Sequence, residues 1–182
     1  GYGLLLPTFV QIVLKQPATD AGVVLLPGAI VGAVFAPIGG LILDRLGAKK
    51  PIILGLCGSF IATFCFLFFF KNLTYQSCIL FYFIYSLGIG LIVGNTMTSA
   101  MSYLPKNLQA DGNATLQTLM QLSGGIGTSI TATILAFVQQ GTNLYDGTNR
   151  GALFVLIFLM FNINIVILSQ YFAFKGGKKN EF

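Results

Sequence analysis

The chain has 182 residues, 55 % of them hydrophobic and 8 % charged, with a formal net charge of +5 and a mean hydropathy of +0.82. A soluble domain of this size has no use for so much apolar surface, so the composition excludes an ordinary water-soluble fold and points to an all-α membrane protein. The basic balance does not indicate nucleic acid, because the charges lie between apolar runs, where lysines and arginines fix the orientation of spans.

Runs of about twenty apolar residues recur, each long enough to cross a hydrocarbon core of roughly 30 Å as a helix. Six helices are expected, in one bundle over residues 1–182. The first covers 1–14 (GYGLLLPTFVQIVL) and is short. The chain begins at Gly1 inside this apolar run, and nothing there has the pattern of a signal peptide. The expectation is a fragment cut within a span, its earlier spans missing.

The second helix, 21–43, carries Pro27, Pro37 and a G-x-x-x-G pair, Gly28 and Gly32. Membrane helices tolerate proline where hydroxyls or neighbouring helices satisfy the freed carbonyls. The third, 51–70, is dense in phenylalanine, and its run from Phe66 to Phe70 is expected mostly to face lipid or the outer boundary. The fourth, 77–104, holds a second pair, Gly90 and Gly94, and a small polar face of Gly88, Asn95, Ser99 and Ser102. Such pairs let backbones approach closely.

The fifth helix, 109–139, is polar for a span. Asn113, Gln117 and Gln121 recur at i, i+4 and i+8 and so form one stripe. Amides are costly in lipid, so the stripe faces either a cavity, as part of a solute pathway, or other helices, as hydrogen-bonding glue. Gly124, Gly125, Gly127 and Thr128 follow it. The sixth helix, 151–174, contains Asn162 and Asn164, which are two apart and share no face; one is expected to bond to a neighbour. Cys57, Cys65 and Cys78 have no metal-ligand spacing and read as buried small residues. No metal or cofactor is expected.

Short connections make consecutive helices antiparallel neighbours. One end then holds seven basic residues, Arg45, Lys49, Lys50, Lys106, Lys175, Lys178 and Lys179; the other holds three, Lys15, Lys71 and Arg150. The positive-inside rule puts the first end, and the C-terminus, in the cytoplasm, with GTNLYDGTNR (141–150) as an outer loop.

The concentration of charge at residues 44–50 needs a further reason. The pattern is Gly40-x-x-x-Asp44-Arg45-x-Gly47-x-Lys49-Lys50. Glycine permits close approach and a tight reversal, and a carboxylate can meet a helix N-terminus. Basic residues can pair with it or with lipid phosphates. This stretch resembles the loop motif of the major facilitator superfamily, G-x-x-x-D-R-x-G-R-K, with Ala48 where arginine is common. The stretch 108–134, LQADGNATLQTLMQLSGGIGTSITATI, resembles the penultimate span of the fourteen-span drug:proton antiporter branch, N-x-x-x-Q-x-x-x-Q followed by G-G-x-x-G-T. Met120 stands where that branch carries arginine. The LLPGAIVGAVFAPIGG stretch before the loop is similar to the same branch.

The resemblance implies the C-terminal six spans of a proton-driven exporter of lipophilic, often cationic compounds. It implies protons, the bilayer and the N-terminal half of the same transporter as partners. It also implies that Gly40, Asp44, Arg45, Gly47, Lys49 and Lys50 latch one state of the transport cycle, and that the proton-coupling carboxylate lies outside this sequence. Asn95, Ser99, Asn113, Gln117, Gln121 and Thr128 are the pathway candidates. The glycines at 28, 32, 90, 94, 124, 125 and 127 are the packing candidates. A carrier of another solute, or a six-span substrate-binding subunit, are the alternatives. An intramembrane enzyme is disfavoured: there is no histidine, and no pair of carboxylates within the spans.

Overall fold

Tyr2, Leu5, Leu6, Phe9 and Val10 are buried. Their spacing is one stripe of a helix, and they form the inner face of α1, Tyr2–Ile12. The computed structural model describes residues 1–34, 47 and 49–177, with side chains as far as residue 170. Among these residues every regular element is helical.

Although short, α1 lies at the centre. Its stripe packs with Phe66, Leu73, Cys78, Leu135, Ala152, Val155 and Leu156 from four other helices and a connection. Pro7 lies inside it; the Thr8 hydroxyl bonds the Leu4 carbonyl at 2.8 Å. The chain leaves α1 through Lys15, at φ 54°, with the Phe9 and Val10 carbonyls accepting from Leu14 and Gln16.

The second helix, α2, spans Ala18–Val34, with a turn at residues 24–25. Pro27 explains the turn, since it has no N–H for the Val23 carbonyl one helical turn back. Then follow α3 (Lys49–Phe68), a 3₁₀ turn at Phe70–Asn72 and α4 (Tyr75–Ser102). Thr74 and Ser77 cap α4 reciprocally: the Thr74 Oγ1 accepts from the Ser77 amide and the Ser77 Oγ from the Thr74 amide. A second 3₁₀ turn, Lys106–Leu108, leads to α5 (Gln109–Gln139). The last helix is α6 (Leu144–Gly177).

Among the described residues four helices are long and apolar enough to cross a membrane: Lys49–Phe68, Tyr75–Ser102, Lys106–Gln139 and Leu144–Gln170. Tyr2–Ile12 and Ala18–Val34 are shorter apolar helices within the described residues. Leu26, Ile30, Leu54, Ile61, Phe64, Phe68, Leu122, Phe161 and Leu168 are exposed on the outside of the bundle. Such a surface suits lipid and not water.

Lipid tails are as apolar as leucine, so close packing holds spans together. The α3–α4 pair shows how. A Cβ on Gly55 would stand 2.5 Å from the Gly88 carbonyl oxygen. Ser59 and Thr63 continue this face, donating to the Gly55 and Ser59 carbonyls at 2.9 Å. The Tyr2 hydroxyl closes the ladder onto Thr63 Oγ1 at 3.0 Å. The α5–α6 pair is tied by Gln139 Nε2 donating to Thr148 Oγ1 at 2.8 Å.

Several expectations need correction. Residues 144–150 are the first two turns of α6 and not loop; Asp146 in the first turn suits the helix dipole, and Gly147 lies against Gln139. Phe66 is buried, 5.5 Å from the Tyr2 ring, and Phe70 packs 5.8 Å from Phe9, while Phe64, Phe68 and Phe69 are exposed. Phe66 and Phe70 share the inner face because they are one turn apart. Of the cysteines only Cys78 is buried, and Cys57 is exposed. Asn162 and Asn164 both bond back to their own helix, at the Phe158 and Met160 carbonyls.

Candidate functional site

A cavity of about 440 Å³ opens between α2, α4 and α5. From α2 it takes Gly28 and Gly32. From α4 it takes Tyr82, Tyr85, Ser86, Ile89, Gly90, Val93, Gly94, Met97 and Thr98. These recur at i, i+3, i+4, i+7, i+8 and onward, so one complete face of α4 is the wall. From α5 come Asn113, Gln117 and Met120. No charged residue is among them.

Gly28 brings α2 against this wall: a Cβ there would meet the Tyr82 hydroxyl at 2.8 Å and Ser86 Oγ at 3.0 Å. The Ser86 and Thr98 hydroxyls are committed to the Tyr82 and Gly94 carbonyls. The Tyr85 ring lies tilted, 4.4 Å from the Tyr2 ring, and 6.2 Å from Tyr82. The aromatic corner is thus anchored in the core through α1.

The amides divide into two sets. Asn95, Asn162 and Asn164 each donate to the carbonyl one turn back, at 2.8 Å. Among the described residues Asn113, Gln117 and Gln121 have no hydrogen-bond partner. All three are exposed; Asn113 and Gln117 line the cavity and Gln121 lies outside its lining.

The other candidates lie elsewhere. Asn95 is wholly buried and its Oδ1 has no partner. Ser99 is half-buried, and its carbonyl accepts from Ser102 Oγ. Thr128 is exposed and bonds the Gly124 carbonyl. A Cβ on Gly32, Gly124, Gly125 or Gly127 would meet nothing within 4 Å. Besides Gly28, close contacts fall on Gly55, which the spacing did not single out, and on Gly88. Sequence reasoning also passed over Tyr82, Tyr85, Met97 and Thr98, although their helical spacing with Gly90 and Gly94 was a readable signal.

Gly40, Asp44 and Arg45 of the loop motif lie outside the described residues, as do Lys178 and Lys179. Gly47 has φ 69°, a conformation that glycine adopts without strain. Lys49 and Lys50 are the first two residues of α3 and exposed. Cations at the positive end of a helix dipole run against local preference, so their place there needs a reason beyond α3 itself.

The family model described as Major Facilitator Superfamily matches residues 1–128. The uncharacterized MFS-type transporter YhcA of Bacillus subtilis is 36 % identical over 130 residues, 71 % of this chain and 24 % of that protein. The lincomycin resistance protein LmrB of the same organism is 34 % identical over 137 residues, 73 % of this chain and 28 % of its own length. The quinolone resistance protein NorB of Staphylococcus aureus is 27 % identical over 165 residues, 89 % of this chain and 34 % of NorB. The chain therefore spans between a quarter and a third of these relatives. No solved structure matches it.

Proposed function

The chain belongs to the Major Facilitator Superfamily, and on that premise we propose that it is the C-terminal six-span part of a proton-driven exporter of lipophilic small molecules. The observation that carries the reading is a cavity of about 440 Å³ between α2, α4 and α5 with the amides of Asn113 and Gln117 on its otherwise apolar and aromatic wall. That volume suits a small organic molecule. The remaining wall is aromatic, thioether and aliphatic, with Tyr82, Tyr85, Met97 and Met120. Apolar area would supply affinity and the amides would orient the solute. With no cation on the wall, a positively charged compound meets no repulsion, and the tyrosine faces attract it. Met120, in place of the arginine of the resembled branch, fits this reading.

The relatives named for lincomycin and quinolone resistance support drugs as the substrate class. In this reading α1 and α2 belong to two further spans, the C-terminus is cytoplasmic, and the proton-coupling carboxylate lies elsewhere in the transporter. Gly40, Asp44, Arg45, Gly47, Lys49 and Lys50 form the cytoplasmic latch, with Asp44 as its switching group.

The test is substrate profile against abundance in the complete transporter. Gln117→Leu removes one orienting hydrogen bond, which is worth roughly 2- to 12-fold in relative efflux of compounds that use it. Gln121→Leu, outside the cavity lining, changes the profile less. Equal efflux of every compound by Gln117→Leu, at normal abundance, would make the stripe a packing feature and overturn the assignment.

A further inference from the structure

A second cavity, of about 450 Å³, lies at the opposite end of α3 from Lys49. It is bounded by the end of α1, the α3–α4 connection and the start of α6. Its floor is apolar, with Phe9, Phe70 and Leu153. Its rim carries Lys71 and Arg150, with Tyr145 and Asn149 beside them.

We propose that this cleft binds an anionic phospholipid, its phosphate held between Lys71 and Arg150 and its upper acyl chain lying on Phe9, Phe70 and Leu153. Three observations lead there. Both cations are exposed, and among the described residues neither has a carboxylate within ion-pair distance. Asp146, one turn before Arg150 on α6, is the nearest acid in sequence and makes no such pair. Two cations are thus left open on one cleft in a chain with few charges.

The second observation is the pairing of charge with an apolar floor. A site for a small soluble anion has no need of two phenylalanines and a leucine beneath its cations. A groove for acyl chains alone has no need of the cations. A phospholipid presents both chemistries, joined at this length scale. The third is depth. Lys71 lies three residues past the end of α3, and Arg150 lies six residues into α6, about 9 Å along its axis. Cations at that level lie where a span meets the headgroup region, and Tyr145 is the residue type enriched there. The proposal does not depend on what the first cavity carries.

The experiment is native mass spectrometry of the full-length protein in detergent, titrated with phosphatidylglycerol and, separately, phosphatidylcholine. The expected result is preferential retention of phosphatidylglycerol. Each cation contributes roughly fivefold, about thirtyfold together. Lys71→Gln with Arg150→Gln abolishes the preference, each single change reduces it about fivefold, and Lys71→Arg keeps it. Lys106→Gln, an equal loss of charge at the other end, leaves it intact. The single variants carry the comparison if the double variant does not fold. Inorganic phosphate and glycerol 3-phosphate, at millimolar concentration, fail to displace the lipid. Equal retention of the two lipids, an unchanged preference in the single and double variants, or full displacement by either soluble anion would overturn the proposal, the last by making this a site for free phosphate.

Discussion

Gly88→Ala isolates the energetics of span packing. The added Cβ would lie 2.5 Å from the Gly55 carbonyl oxygen and 2.8 Å from the Ser59 amide nitrogen, and it would also strike Ser59 Oγ. Two of these three obstacles are backbone, so no side-chain rotation relieves them. An ordinary carbon–oxygen contact is about 3.3–3.6 Å. The two helices must therefore part by about 1 Å, and van der Waals contact along the Gly55–Ser59–Thr63 face weakens with them. Overpacking of this kind costs about 1–3 kcal/mol. Alanine in place of glycine within a helix returns about 0.5–1 kcal/mol. The net expectation is a loss of about 0–2.5 kcal/mol, centred near 1 kcal/mol. Gly3→Ala is the control, since its Cβ would meet nothing within 4 Å, and it should stabilise by about 0.5–1 kcal/mol. The assay is the folded fraction of purified full-length protein across a denaturing-detergent titration. Opposite shifts for the two variants support the argument. A Gly88→Ala protein stabilised as much as Gly3→Ala would refute close α3–α4 contact at this point.

Two further outcomes bear on the transporter as a whole. In a background lacking Cys57, Cys65 and Cys78, Tyr145→Cys should react with an impermeant thiol reagent added to intact cells and Lys49→Cys only after permeabilisation; the reverse pattern would invert the proposed orientation. Asp44→Asn should leave membrane insertion intact, lower transport roughly tenfold or more if a charge-assisted latch is lost, and raise the cytoplasmic reactivity of a Gln117→Cys reporter. Unchanged transport with unchanged reactivity would leave Asp44 an ordinary loop acid.

The positions of the long helices were legible because an apolar run of membrane thickness is a strong one-dimensional signal. The fifth helix was expected over 109–139 and is observed over Gln109–Gln139. The start of α6 was misread for a physical reason. Polarity at GTNLYDGTNR reports hydration, and a helix that leaves the bilayer stays a helix while becoming polar. Its 34 residues extend about 51 Å, well beyond a core of roughly 30 Å. Glycine spacing was less informative. Gly28–Gly32 and Gly90–Gly94 have the packing pattern, yet Gly32 has nothing within 4 Å, and among the described glycines the tightest backbone-to-backbone approach joins Gly55 to Gly88 across two helices. Spacing along one helix cannot reveal which turn of the next helix stands opposite. The α4 wall of the cavity could be read as one face from its spacing, but not as a cavity wall, because Ile89, Val93 and Met97 are also what a lipid-facing stripe contains.

The polar side chains of α5 separate two requirements that its sequence mixes. Thr115, Thr118, Ser123, Thr128, Thr131 and Thr133 each donate to the carbonyl four residues back. A hydroxyl satisfied in this way demands nothing of its surroundings, so it can face lipid, a sliding helix or water at similar cost. The same geometry serves Asn95, Asn162 and Asn164 on α4 and α6. Asn113 and Gln117 do not follow it, although asparagines elsewhere in this bundle reach back without difficulty. Two amides that forgo their own helix carbonyls in a nonpolar protein need water or a polar solute in front of them. The cavity supplies that space, and it is on Asn113 and Gln117, more than on the hydroxyls that outnumber them on α5, that the proposed reading of a solute rests.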